Sequence, residues 1–249
     1  MASRPPHTRT GPQTGPSGQA ANRQFVKYTF FKVASAWRGL PADERAAMKQ
    51  EIVDILEAFA ERMLLRVYST VGTRGDCDLM LWTVSDRLED FQELTARLFG
   101  SGLGVYLEMP YSYLAMTKES VYSDERQPLA PREGSERKYL IVYPMWKKRE
   151  WYALPGEERM RIMRSHIETG RRYGTIEINT AYSFGLDDQE FVVSFNTDSP
   201  SDFLDLVHEL RATESSAWTE SETPIFTCIT ASVERALGAL DGQVVAVPA

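Results

Sequence analysis

Trp37-Arg38-Gly39-Leu40-Pro41-Ala42-Asp43-Glu44-Arg45 returns as Trp151-Tyr152-Ala153-Leu154-Pro155-Gly156-Glu157-Glu158-Arg159, with Trp, Leu, Pro, Glu and Arg at identical spacing 114 positions later. In each copy a proline stands where a helix would begin, followed by acidic residues in the first turn. The missing proline N–H costs nothing there, and carboxylates meet the positive end of the helix dipole. Chance repetition of all five residues is a poor account, so the chain reads as two copies of one plan.

The order of elements around each entry repeats too. Periodicity predicts a strand over 25–33, a helix from 41 to about 62, strands over 64–70 and 78–84, a helix over 88–99 and a strand over 104–117. The second copy gives a strand over 138–147, a helix over 155–172, strands over 175–183 and 189–196, a helix over 200–212 and a strand over 224–231. Asp90-Phe91 followed by Leu94 is matched by Asp202-Phe203 followed by Leu206. Each half is therefore β-α-β-β-α-β, the ferredoxin-like order. The β-β connection inside each unit makes its sheet antiparallel, so the fold class is α+β, two tandem ferredoxin-like units whose sheets are expected face to face in a barrel-like core. The units run over 25–118 and 138–249. Between them, 119–137 carries Pro128, Pro131 and Gly134 among many charges and reads as a linker or lid loop.

Residues 1–24 are rich in Pro, Gly, Ser, Thr and Gln, with Arg4, Arg9 and Arg23 and no acid, a composition expected to be disordered. They lack the apolar run of a secretory signal. The chain has 249 residues, 43% hydrophobic and 25% charged, and no apolar stretch approaches the ~20 residues needed to span a bilayer. A formal charge of −7 argues against a general nucleic-acid surface, which shows as a basic domain or stripe. Cys77 and Cys228, far apart in sequence, fit two reduced thiols in a cytoplasmic protein better than a zinc site or disulfide framework.

Chemistry concentrates in Tyr143-Pro144-Met145-Trp146-Lys147 and in His166 on the following helix. Alternation on a strand puts Tyr143, Met145 and Lys147 on one face, an oxidisable phenol and an ammonium on one wall. Such a wall suits a redox cofactor that carries carboxylates. Met163 and Gly170, three before and four after His166, share its helical face and leave a slot beside the imidazole. A flat macrocycle with iron on the ring nitrogen fits such a slot, although a helical His is more often simply packed. His7 falls in the tail, and His208 sits at the boundary of an apolar helix face. No His-Glu-x-x-His, Cys-x-x-Cys or calcium loop accompanies His166. Gly100-Ser101-Gly102-Leu103-Gly104 lacks the flanking strand and helix of a phosphate loop, and no serine sits in a Gly-x-Ser-x-Gly elbow. Iron brought by a porphyrin is the option left.

Five segments in order now carry a resemblance: 143–147, the helix with His166 and Gly170, Ser183-Phe184-Gly185-Leu186-Asp187-Asp188-Gln189-Glu190-Phe191, Leu210-Arg211-Ala212-Thr213-Glu214-Ser215-Ser216, and Thr223-Pro224-Ile225-Phe226-Thr227. Over about 25–235 the chain resembles the chlorite dismutase-like haem proteins, and among them the coproheme-decarboxylating branch. The resemblance implies a dimeric α+β barrel in each chain, assembly into a homopentamer, and a porphyrin site in the C-terminal half. It makes His166 the iron ligand, Tyr143 the radical carrier and Lys147 its neighbour. Met145 would line the porphyrin edge, Arg211 and Ser216 would hold propionates, and Tyr111 and Tyr113 would border the substrate. The implied reaction uses hydrogen peroxide to convert Fe-coproporphyrin III (coproheme) to haem b by two oxidative decarboxylations, the porphyrin being substrate and redox cofactor together. Transient contact with the chelatase that inserts the iron follows from that place in haem synthesis. Arginine clamps a carboxylate bidentately, and lysine meets it as a point charge.

Chlorite-handling members resemble the chain in fold but use a distal arginine. Thirteen residues past His166 stands Asn179, a neutral amide that cannot supply that charge. Chlorite chemistry, and a non-enzymatic haem-binding barrel in which Tyr143 and Lys147 are ordinary strand residues, are the alternatives. Arg126, Arg132 and Arg137 compete as a further propionate contact.

Overall fold

A computed structural model describes residues 23–118 and 137–243. The N-terminal unit comprises β1 (Phe25–Val33), α1 (Ala42–Ala60), β2 (Leu64–Ser69), β3 (Leu79–Ser85), α2 (Leu88–Gly100) and β4 (Leu107–Met116). The second comprises β5 (Tyr139–Lys147), a short α3 (Arg149–Ala153), α4 (Gly156–Arg171), β6 (Ile176–Tyr182), β7 (Phe191–Thr197), α5 (Pro200–Arg211), β8 (Thr219–Ser221) and β9 (Phe226–Thr230), followed by α6 (Val233–Leu240). The repeated entry motif builds the same local structure twice. Trp37 and Trp151 are both buried, and the carbonyls of Pro41 and Pro155 accept the first helical bonds from the N–H groups of Arg45 and Arg159, each at 3.1 Å. Each proline is thus the N-cap, one position before its helix.

The strands run β4-β1-β3-β2 in one unit and β9-β5-β7-β6 in the other, the same order once the units are superposed by element. The two sheets face each other across one shared interior, as expected, and they also join at their edges. Each edge strand of one pairs with an edge strand of the other, Met116 with Tyr182 at one seam and Tyr68 with Thr230 at the other. Eight strands close into one barrel, with β8 attached outside the ring to the end of β5. Closure joins the four sheet edges through one residue pair at the first seam and two at the second.

Side chains alternate between the barrel interior and the helix-covered outside. Inside, Phe30 stacks on Phe226 with ring centroids 3.9 Å apart, and the Tyr28 hydroxyl meets Ser194 Oγ at 2.9 Å, so both contacts tie one unit to the other. Cys77 and Cys228 are free thiols buried in this interior. The two outer layers differ. Among the described residues, 18 buried hydrophobics fill the layer under the N-terminal helices and 6 fill the layer under the C-terminal ones. The sparser layer is the one that contains Tyr143.

One expected boundary moves, and one helix that the periodicity did not name is added. The strand expected from 104 begins at Leu107, because Leu103–Tyr106 turns as a 3-10 helix. A Cβ at Gly104 would lie 2.3 Å from the Leu98 carbonyl oxygen, so only glycine admits that turn. The second unit also does not keep everything to its C-terminal side. Helix α6 crosses back and buries Ala236, Leu237 and Leu240 against the N-terminal helices, where Asp241 meets Arg45 Nε and Lys49 Nζ at 2.6 Å each. Burial alone would raise the Asp241 carboxyl, but Lys49 and Arg45 outweigh it and hold it below its ordinary value.

Candidate active site

Strand β5 places Leu140 and Val142 in the interior, so Ile141, Tyr143 and Met145 face outward. Tyr143 is 8% exposed and stacks on Phe195 of β7 at 5.7 Å. Burial first, then the negative charge of Glu222, pushes its phenol up, while Arg211 pulls it back. Tyr143 therefore stays protonated at neutral pH.

After Met145 the strand changes register between Trp146 and Lys147. Lys147 consequently leans toward the turn 214–218, where its ammonium donates to Thr219 Oγ1 at 3.1 Å and to the Ser215 carbonyl at 3.3 Å, and lies 5.3 Å from the Trp151 ring. Burial lowers its pKa to about 8, against the opposing charges of Glu222 and Glu190.

His166 stands on the face of α4 that meets the 3-10 turn 214–218, one turn before Gly170. A Cβ added at Gly170 would find only Ile178 Cδ1, at 3.9 Å, so the space beside the imidazole is open. Burial, and then the Lys147 charge, lowers the His166 pKa to about 4, which leaves a neutral ring at physiological pH. Its tautomer follows from hydrogen-bond direction. The Thr213 hydroxyl donates to the Leu210 carbonyl at 2.7 Å, so toward Ser215 Oγ, 3.0 Å away, it accepts. Ser215 spends its own proton on Thr213 and accepts from His166 Nδ1 at 2.9 Å. The free lone pair is then on Nε2, the nitrogen that can hold a transition metal.

Arg211 closes the last turn of α5, and its guanidinium pairs with Glu222, just past β8. Tyr143, Met145, Lys147, His166 and Arg211 thus gather around one slot between α4, α5 and the outer face of β5 and β7. Ser216 lies in the same turn as Ser215, its N–H donating to the Thr213 carbonyl.

Three expected site residues do not come to this slot. Tyr111 and Tyr113 pair with Phe30 and Tyr28 of β1 on the side of the barrel interior, and the half-buried Tyr111 donates its hydroxyl to the partly exposed Asp76 at 2.6 Å. Asn179 pairs with Ser194 and shares the inward direction of Ala181, whereas Ile178 faces out. No register shift interrupts β6, so the outward polar position next to it is Thr180. Arg137 is held by Asp198 at 3.1 Å and Glu177 at 3.5 Å, about 20 Å along β5 from Tyr143. Arg126 and Arg132 lie outside the described residues, as does most of the tail and linker.

The chlorite dismutase family model matches residues 45–231. A coproheme decarboxylase from Mycolicibacterium smegmatis is 30% identical over 224 residues, covering 86% of this chain and 94% of that one. The chain belongs to the chlorite dismutase family. The fold agrees: a chlorite dismutase variant from Candidatus Nitrospira defluvii superposes with a TM-score of 0.81 at 24% identity, over 88% of this chain and 95% of that one. The chlorite dismutase of the same organism in complex with imidazole gives 0.80 at 25%, with the same coverage.

In this family member, sequence reasoning missed Ser215, Thr213 and Glu222. The hydroxyl-rich run after Arg211 was visible, but only the 3-10 turn 214–218 decides that Ser215, not Ser216, meets the imidazole. Glu222 carried no sequence signal. No helix among the described residues is long and apolar enough to cross a membrane.

Proposed function

We propose that this chlorite dismutase family member decarboxylates two propionates of coproheme with hydrogen peroxide to give haem b. The observation that carries the proposal is the pairing of a buried, protonated Tyr143 with a neutral His166 whose Nε2 is free, beside the cations Lys147 and Arg211. The site fits a flat, polyanionic iron macrocycle: the outer layer is thin, Gly170 leaves space next to the ligand nitrogen, and two cations stand at the rim. His166 would hold the iron, Met145 would line the macrocycle edge, and Arg211, Ser216 and Lys147 would hold carboxylates.

Bound coproheme supplies the iron that peroxide oxidises and the propionates that are lost. Each propionate, with one peroxide and one proton, yields a vinyl group, carbon dioxide and two waters, so two peroxides are consumed per haem b. Tyr143 delivers one of the two oxidising equivalents of each peroxide to a propionate, by losing an electron from its phenol and taking a hydrogen atom from the side chain; loss of carbon dioxide with one more electron then leaves the vinyl group. Because burial keeps the phenol protonated, its Oη proton must leave with the electron. Glu222 and Arg211 are the groups whose charges reach the phenol, while Lys147 feels Glu222 and Glu190. Phe195 and the apolar layer exclude water from the phenol. Thr180 is no cation, so the outward position on β6 lacks the charge used for chlorite.

The same reading makes the chain a cytoplasmic homopentamer that receives coproheme from the iron-inserting chelatase. The test is purified protein with coproheme and peroxide, followed by mass spectrometry. Two successive losses of the elements of formic acid are expected, and Tyr143→Phe should bind coproheme without converting it. Normal turnover by that variant would overturn the assignment of Tyr143, and sustained oxygen release from chlorite would overturn the reaction.

A further inference from the structure

Glu222 holds no part of the substrate in the reaction as described, yet it is placed where a substrate carboxylate should go. Its carboxylate pairs with the Arg211 guanidinium, and its side chain is 17% exposed while that of Arg211 is 49% exposed. Its charge is felt by both Tyr143 and Lys147, so it lies among the three groups that the proposed function gives to the propionates and their oxidation. The chain reaches this position by pairing β8 with the end of β5, Ser221 opposite Trp146, which fixes the next residue beside the Tyr143 face.

We propose that Glu222 is an internal stand-in for a porphyrin propionate, seated on Arg211 until a substrate carboxylate displaces it. This rests on the coproheme reading and names what its anion seat does before binding. The Glu222 carboxylate takes one terminal nitrogen of Arg211, so a propionate that the guanidinium fork engages bidentately through that nitrogen must displace it. Exchange of one carboxylate for another keeps Arg211 paired throughout, and no unpaired cation is left when the porphyrin departs. The consequence is weaker substrate binding than the bare cation would give, together with easier release. When the propionate takes Arg211, the Glu222 carboxylate has Lys147 as its remaining counter-charge, because each already feels the other.

A purely structural pair makes the opposite forecast. If Glu222 only pinned α5 to β8, its loss would loosen the Arg211 seat and weaken binding. Glu222→Gln keeps the shape and removes the charge, so the sign of the change in affinity separates the two.

The experiment is an absorbance titration of the full chain with coproheme, without peroxide, at several salt concentrations. Glu222→Gln should bind at least tenfold more tightly than the parent and with a steeper salt dependence. Arg211→Gln combined with Glu222→Gln should bind no more tightly than Arg211→Gln alone, since the competition needs the guanidinium. Glu222→Ala should also tighten binding, which guards against an accident of the glutamine amide. Parent-like or weaker binding by both Glu222 variants overturns the exchange while leaving the haem reading intact. Failure of the parent itself to bind coproheme overturns both.

Discussion

Replacing Gly170 with alanine should move stability and ligand affinity in opposite directions. Gly170 lies within α4, and its φ is not in the left-handed region, so alanine gains the helix preference of about 0.5–1 kcal/mol. The added Cβ meets only Ile178 Cδ1 at 3.9 Å, an ordinary van der Waals contact, so no clash offsets the gain. For a chain of this length each kcal/mol raises the melting temperature by about 2–4 °C, giving an expected rise of about 1–4 °C. With a macrocycle beside His166, the same Cβ stands where the ring must pass. Overpacking of that kind costs about 1–3 kcal/mol, a roughly 5- to 150-fold weaker coproheme affinity. Thermal unfolding of the free protein and a coproheme titration measure the two quantities on one sample. A destabilised free protein would mean that the space at Gly170 is not open. Unchanged affinity would mean that the slot beside His166 is not where the ring lies.

Two further outcomes follow from hydrogen bonds outside the reacting groups. Ser215→Ala removes the acceptor that holds the His166 Nδ1 proton, so nitrogen-15 NMR of the free protein should change from the Nδ1–H tautomer to a mixture; a parent ring already in the Nε2–H form would refute the relay through Thr213 to Leu210. Asp241→Asn breaks the contacts to Arg45 and Lys49 and should cost about 1–3 kcal/mol in urea unfolding. The folded-state pKa of Asp241 lies below its unfolded value, so the parent keeps this stabilisation above that unfolded value and loses it as pH falls through the folded one. The difference between parent and variant should therefore shrink in acid, and a gap that stays constant down to strongly acidic pH would exclude the ion pairs as its source.

The shared faces within the candidate site were legible because they depend on short-range periodicity. Tyr143 and Met145 share a face since strand neighbours two apart always do, and Gly170 stands by His166 since helix positions four apart are adjacent. Tyr111, Tyr113 and Asn179 were expected at the same slot and are instead on the side of the barrel interior. Periodicity gives two faces to every strand but does not name the one that turns inward when a sheet closes, and a displacement of one residue exchanges them. Lys147 shows the same limit more finely: the register shift after Trp146 turns its ammonium toward Ser215 and Thr219 rather than leaving it beside Tyr143.

The repeat at Trp37 and Trp151 by itself determined two β-α-β-β-α-β units, because helix entries, strand lengths and connections are local properties of the chain. Tertiary structure alone decided that the four sheet edges close on each other, that α6 returns to the first unit, and that Ser215 and Glu222 join His166 and Arg211. Those contacts join residues from about ten to more than a hundred positions apart, and what selects them is the need to pair every backbone edge and bury every apolar face at once, a condition that only the whole fold can satisfy.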